Sequence, residues 1–404
     1  MERWLLPEGM EELVPPESLR LERMRRALLD LFSRWGYEIV TPPFIEYLES
    51  LLTGTGEDLE LHTFKLIDQL TGRMMGVRAD MTPQVARIDA RRLRRDGPSR
   101  LCYAGTVLRT LPEGISGGRS PVQVGAELYG HAGWQSDCEI VCLMIEALEA
   151  AGVGPVHIDV GHVGIFRALA RRTALGPERE IALHEALQRK AGSEVRELLN
   201  AWEVDMQCAD ALVALVDLDG EPSVLERAGQ TLAVGGEDVA RALADLGALV
   251  RAVCARRPDV ELHVDLAELR GYRYHTGSVF AAFVPGYGRE VARGGRYDEI
   301  GSVFGRSRAA TGFSADLKTL IALRDSSHGA AAEDEDVIGA PWSDDGELHD
   351  AIRELRSRGE RVIQRLPDED SGGARNLERR DGRWVVVGAI PPSGSSPTER
   401  ESRG

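Results

Sequence analysis

Cysteine is scarce in this chain. Five occur in 404 residues, an odd and scattered set of Cys102, Cys138, Cys142, Cys208 and Cys254. That argues against a disulfide framework and fits a reducing compartment. Cys138 and Cys142 stand four residues apart on an expected helix, where two small buried side chains are a plainer reading than a metal or redox pair. The nine histidines show no metal-ligand spacing with these cysteines, so neither metal nor cofactor is expected. Long apolar runs are also lacking, and none approaches the roughly 20 residues that span a bilayer. The opening Met1-Glu2-Arg3-Trp4 has no charged-then-apolar leader pattern. A soluble cytoplasmic protein is the expectation. Positive charge is in deficit: Lys and Arg total 49 against 65 Asp and Glu, a formal net charge of -16. Such a surface repels phosphate backbones and gives no general grip on nucleic acid. Internal repeats are absent.

What is present is ordinary globular material, 43% hydrophobic and 28% charged, long enough for roughly two or three domains. Leu21, Met24, Leu28, Leu31, Phe32 and Trp35 fall at helical spacing and predict a helix over 16–35, opened by Pro15 and Pro16 and closed by Gly36. A strand is expected at 37–41, stopped by Pro42 and Pro43. Strands are expected at 101–109 and 122–129 around a loop carrying Gly114, Gly117 and Gly118. A helix over 137–151 and a short strand at 156–160 follow. From about 164 to 256 apolar residues recur at three- and four-residue steps, which predicts a helical insert in a mixed helix-and-strand body. Strands are expected again at 262–266, 278–284 and 289–293, then a helix at 311–323. Residues 324–336 read as a linker, 337–390 as a small α/β unit, and the Pro/Ser/Gly-rich 391–404 as a disordered tail. The main body is thus placed at 1–323.

Four separated segments carry a family resemblance. Trp35-Gly-Tyr-Glu-Ile-Val-Thr-Pro-Pro43 is similar to the first motif of class II histidyl-tRNA synthetases, which builds a dimer interface. Val77-Arg-Ala-Asp-Met-Thr-Pro-Gln-Val-Ala-Arg87 resembles the stretch that presents an acid and a hydroxyl to the amino acid's ammonium group, the roles of Asp80 and Thr82. A buried ammonium needs such partners, because an unpaired charge there is costly. Tyr103 to Arg109, Arg119 to Gln123 and Gly125 to Gly130 resemble the second motif. By that likeness Arg109 contacts phosphate and carboxylate, and Gln123 and Glu127 line a histidine pocket. Leu269-Arg-Gly-Tyr-Arg-Tyr-His-Thr-Gly-Ser-Val-Phe280 and Ala292-Arg-Gly-Gly-Arg-Tyr-Asp298 resemble the two histidine-specific signatures and are the most specific of the four. Arg270 matches the catalytic arginine, and Tyr274 the first pocket tyrosine. The resemblance implies an α+β fold of the class II synthetase type, an antiparallel sheet flanked by helices.

The departures are as informative. Leu111 stands where the second motif has a Glu, and leucine can neither accept a hydrogen bond nor help place a cation. In Gly312-Phe-Ser-Ala-Asp-Leu-Lys-Thr319 the third motif's small Gly is Asp316 and its arginine is Thr319. Lys318 lies one residue away, but lysine lacks the bidentate fork. Losing one such clamp costs on the order of 3 kcal/mol of transition-state stabilisation. His275 replaces the second pocket tyrosine, Arg273 an Asp, and Ala281 a Glu. The 337–390 unit is shorter than an anticodon-binding domain. The pattern is similar to the regulatory-subunit family of ATP phosphoribosyltransferase, a synthetase-like group that does not aminoacylate. That likeness implies a non-catalytic partner for the short-form catalytic subunit in the first step of histidine biosynthesis, a homodimeric core in a hetero-oligomer, histidine as effector, and no tRNA. A divergent histidyl-tRNA synthetase, or a synthetase-like regulator of another system, is the alternative.

Overall fold

The computed structural model describes residues 4–53, 57–112, 118–328, 337–367 and 375–388. Gly114, Gly117, residues 329–336 of the expected linker and the 391–404 tail lie outside them. The chain forms two compact units, Met1–Ser327 and His328–Gly404.

The first unit is built on a nine-stranded sheet. From one edge its strands run Glu38–Ile39, Ser99–Thr106, Val122–Tyr129, Ala310–Asp316, Ala292–Arg296, Ser278–Phe283, His157–His162, Glu261–Asp265 and Asp219–Gly220. Pairing is antiparallel through the centre and parallel at Glu38–Ile39 and between His157–His162 and Glu261–Asp265. One face carries the core. The helix Glu17–Arg34 buries Met24, Leu28, Leu31 and Phe32, and Phe32 meets Phe313 edge-on at 5.9 Å. The helix Trp134–Ala150 is apolar nearly all round because it is enclosed on most sides, with Cys138, Ile140, Val141, Met144 and Leu148 buried. Cys138 and Cys142 are among these core residues. Helices continue from Val163 to Arg256, interrupted by the two-residue strand Asp219–Gly220.

The other face carries a trough, and its cause is register. Glu127 pairs with Gly312, Gly312 with Gly295, Gly295 with Val279, and Val279 with Gly161. Paired residues share a face, so the missing side chains of that row let other groups close on the sheet: the Glu127 carboxylate over Gly312 and the His275 ring over Gly295. A small antiparallel sheet of Ile45–Tyr47, Met74–Val77 and Lys65–Ile67 delivers the chain to the trough at Asp80, and the helix Thr82–Ile88 leads away.

Several expectations need correction. The helix expected over 311–323 is a strand, Ala310–Asp316, followed by the helix Leu317–His328. Ala310, Phe313, Leu317, Leu320 and Ile321 are spaced like a helix, but ladders on both sides claim the first seven residues. That helix also extends through 324–328, placed earlier in the linker. The strand expected at 289–293 is Ala292–Arg296, and the 37–41 strand narrows to Glu38–Ile39. The small sheet before Asp80 was not anticipated. The second unit orders its strands Arg361–Gln364, Val337–Ala340, Arg375–Arg380 and Arg383–Val387, with the helix Gly346–Ser357 burying Leu348 and Ile352 against it. Arg375–Arg380 has too many charges to read as a strand.

Candidate functional site

The trough encloses a cavity of about 290 Å³ lined by Asp80, Thr82, Glu127, Arg270, Tyr274 and His275, with Gly294 and Gly312 among the residues that complete its lining. That lies at the small end of ligand pockets, which run from roughly 300 to 1,000 Å³. Six of the eight residues singled out for amino-acid binding meet there. Gln123 and Arg109 line a neighbouring cavity of about 860 Å³. Gln123 still serves the first, because its amide donates to Asp80 Oδ1 at 2.8 Å and accepts from the Met81 amide at 2.9 Å. Asp80 Oδ1 also accepts from the Thr82 amide at 2.9 Å, so the carboxylate is aimed by its own turn. Behind it, Arg78 donates to the Pro42 and Thr106 carbonyls at 2.8 and 2.9 Å.

Glu127 is the buried centre of the site. Its Oε1 accepts from the Tyr103 hydroxyl at 2.9 Å and its Oε2 from the Tyr297 hydroxyl. The Tyr103 hydroxyl lies 3.1 Å from Thr82 Oγ1. Burial pushes the Glu127 carboxyl up to about 8, against the pull of its two phenol donors. Burial likewise raises Tyr103, Tyr274 and Tyr297 well above the usual phenol range, and the Glu127 charge adds to it. The Tyr274 ring stacks on Tyr297 at 5.1 Å, and its hydroxyl is buried with no hydrogen-bond partner among the described residues. Tyr103 and Tyr297 had not been singled out, although both stand inside the motifs quoted above. Their role follows from pairing: Tyr103 sits opposite Gly125, the one residue type there that lets its ring cross to Glu127.

Arg270 lines the cavity, yet its guanidinium is already engaged. Glu268 receives Nη2 at 2.7 Å and Nε at 3.0 Å, and Glu290 receives Nη1 at 2.9 Å. An anionic ligand would compete with two carboxylates. Neither acid had been identified from the sequence.

The larger cavity is lined by Asp316, Lys318 and Thr319 of the third-motif stretch, and they are built into the scaffold. The Asp316 carboxyl accepts from the Val122 amide at 2.9 Å, the Lys318 amide at 3.2 Å and the Thr319 hydroxyl at 3.0 Å. It therefore fastens a strand to the first turn of the helix Leu317–His328, and burial raises its pKa. The Lys318 ammonium, the one candidate to replace the missing arginine, pairs with Glu11 at 2.9 Å. Arg119 spends its amide on the Gly9 carbonyl at 2.7 Å and its guanidinium on the Glu8 and Arg109 carbonyls at 3.0 and 3.1 Å. The segment around residues 8–11 thus engages both Lys318 and Arg119. Leu111 is 57% exposed and lines neither cavity.

The Glu127 environment has a measurable consequence. Its folded pKa of about 8 exceeds the ordinary 4.5, so the folded state holds the proton more tightly. Stability then falls as pH rises toward 8 and levels off above it. His162 and His275, both lowered to about 4 by burial, act in the opposite sense and below about 6.5. Between pH 6.5 and 8 the chain should lose up to roughly 1 kcal/mol per pH unit relative to Glu127→Gln. Urea denaturation at several pH values would test this; parallel curves for the two proteins would refute it.

Comparison with known proteins agrees with this geometry. A family model described as histidyl-tRNA synthetase matches residues 9–320. A second, described as the ATP phosphoribosyltransferase subunit HisZ C-terminal domain, matches residues 335–387. The chain is 57% identical over 390 residues to an ATP phosphoribosyltransferase regulatory subunit of Alkalilimnicola ehrlichii, covering 95% of this chain and 97% of that one. It is 58% identical over 391 residues to the protein of the same description from Thioalkalivibrio sulfidiphilus, covering 95% and 98%. Among solved structures, an ATP phosphoribosyltransferase regulatory subunit/histidyl-tRNA synthetase from Bacillus halodurans superposes with a TM-score of 0.80 at 26% identity, covering 92% and 95%. A synthetase-like body followed by a C-terminal unit of this type, matched along nearly the whole length of the chain, places it in the family of ATP phosphoribosyltransferase regulatory subunits.

Proposed function

We propose that this chain is the non-catalytic partner required by a short-form ATP phosphoribosyltransferase in the first step of histidine biosynthesis, and that free histidine in the 290 Å³ cavity carries feedback to that enzyme. The observation that supports the sensing role best is the Tyr274 hydroxyl. It is buried without a partner among the described residues, and Tyr274 shares the cavity lining with Glu127. An unpaired buried hydroxyl costs about 1–3 kcal/mol, and a ligand with ring nitrogens and an ammonium group offers it a partner. Asp80 and Thr82 suit the ammonium end by charge and hydrogen bonding. Binding there would shift the catalytic subunit only through unequal affinity for two conformations of the complex. The first-motif likeness favours a homodimeric core within the hetero-oligomer. This role belongs in the cytoplasm and calls for neither tRNA nor membrane; among the described residues no helix is long and apolar enough to cross one.

The deciding measurement is phosphoribosyltransferase activity of the catalytic subunit with and without this chain, titrated with histidine. Activity should depend on the chain and fall with histidine. ATP–pyrophosphate exchange driven by histidine at a synthetase-like rate would instead establish the alternative. Tyr274→Phe separates sensing from folding. It should stabilise the ligand-free chain by about 1 kcal/mol, because the orphaned hydroxyl is gone, and weaken histidine binding about tenfold. Calorimetry showing unchanged affinity would place the effector elsewhere.

A further inference from the structure

His275 stands where the resembling enzymes have a second tyrosine, and its surroundings give it a definite chemical polarity. The ring lines the smaller cavity and meets Tyr274 edge-on at 5.3 Å. It is seated by two glycines: a Cβ on Gly295 would fall 2.8 Å from Nδ1, and one on Gly271 would fall 2.7 Å from Cδ2. Gly271 also has a φ of +66°, so the backbone independently favours glycine there. Nδ1 lies 3.3 Å from the Arg296 carbonyl oxygen. A carbonyl only accepts, so Nδ1 carries the proton. Burial lowers the imidazole to about 4, which keeps it neutral at physiological pH. Nε2 is then left with a lone pair and no proton. The hydrogen bond of this ring among the described residues is the one at Nδ1. A phenol in this place could donate or accept, whereas this nitrogen can only accept.

We infer that His275 is a specificity-determining residue of the effector pocket, whose Nε2 accepts a hydrogen bond from an N–H on the ring of the bound amino acid. The inference rests on the sensing role proposed above and deepens it. The pocket then selects heteroaromatic amino acids that offer a ring N–H and rejects rings of the same shape that lack one. Rejection is effective because Nε2 would be dehydrated without compensation.

The test uses the full chain, calorimetry, and two ligands: histidine, and its thiazole isostere, in which sulfur replaces the ring N–H. The unsubstituted protein should bind the isostere at least about tenfold more weakly than histidine. His275→Phe should weaken histidine about tenfold while changing the isostere less than about twofold, so the preference collapses. His275→Gln, which keeps an acceptor oxygen, should retain much of it. A His275→Phe protein with the original preference overturns the inference and leaves the sensing role standing. No histidine binding to the unsubstituted chain overturns both. If the phenylalanine variant does not fold, nitrogen NMR of the ring-labelled wild-type chain decides. The Nε2 resonance should move with histidine and not with the isostere, and a resonance indifferent to histidine overturns the inference.

Discussion

Gly312→Ala should destabilise the chain by about 3 kcal/mol and abolish histidine binding. Gly312 pairs with Glu127 across the ladder. A Cβ added there would fall 1.6 Å from Glu127 Oε2, 2.6 Å from its Cδ and 2.7 Å from the Ala126 carbonyl oxygen. Carboxyl and carbonyl cannot both retreat, because Tyr103 and Tyr297 hold the first and the sheet holds the second. Either the ladder opens or Glu127 is driven into the cavity. Gly229→Ala is the control. That glycine lies in the helix Val224–Thr231 with nothing within 4 Å of the new carbon, and should gain about 0.5–1 kcal/mol. Chemical denaturation and calorimetry read both effects. A Gly312→Ala protein that binds histidine normally would mean the trough is not the ligand site.

Arg296→Met should cost about 3–5 kcal/mol, a loss of folding with no direct effect on the cavity. Arg296 belongs to the Gly-Gly-Arg-Tyr-Asp signature, yet it does not line the smaller cavity. Its guanidinium reaches Asp137 at 2.9 and 3.2 Å, Ser136 Oγ at 2.8 Å, the Gly133 and His131 carbonyls at 3.0 and 3.2 Å, and Asp298 at 3.2 Å. Both members of the Arg296–Asp137 pair are buried, and burial raises the Asp137 pKa even with the arginine present. Methionine would strand that carboxylate. The double replacement Arg296→Met with Asp137→Leu should recover much of the loss, since neither charge then remains buried alone. A double variant less stable than Arg296→Met alone would contradict this account. Lysine is no substitute, because a single ammonium cannot serve so many acceptors in a plane.

Two residues of one short signature thus do different work. Tyr297 donates to Glu127 at the site, while Arg296 anchors the strand from below. Motif matching does not separate them. Alternation along a strand sends adjacent side chains to opposite faces, and only the partners on each face distinguish them. The same limit explains the strand mistaken for a helix. Apolar residues at 310, 313, 317, 320 and 321 satisfy a helical period whether or not ladders form. Pairing with Val122–Tyr129 and Ala292–Arg296 is non-local and leaves little local trace.

The sequence by itself determined the family likeness, the helical stretch after residue 163, most strands of the body, and the departures at Leu111, Asp316 and Thr319. Each is carried by residue identity at a short spacing, which local chemistry interprets directly. Only the tertiary structure decided what those residues touch. It showed that Asp316 fastens a helix, that Lys318 and Arg119 are held by the segment around residues 8–11, that Arg270 is shared by Glu268 and Glu290, and that Gly312 and Gly295 in one ladder row admit the Glu127 carboxylate and the His275 ring. These are contacts between segments up to about three hundred residues apart in the chain. Register and packing set them, and no local pattern encodes either.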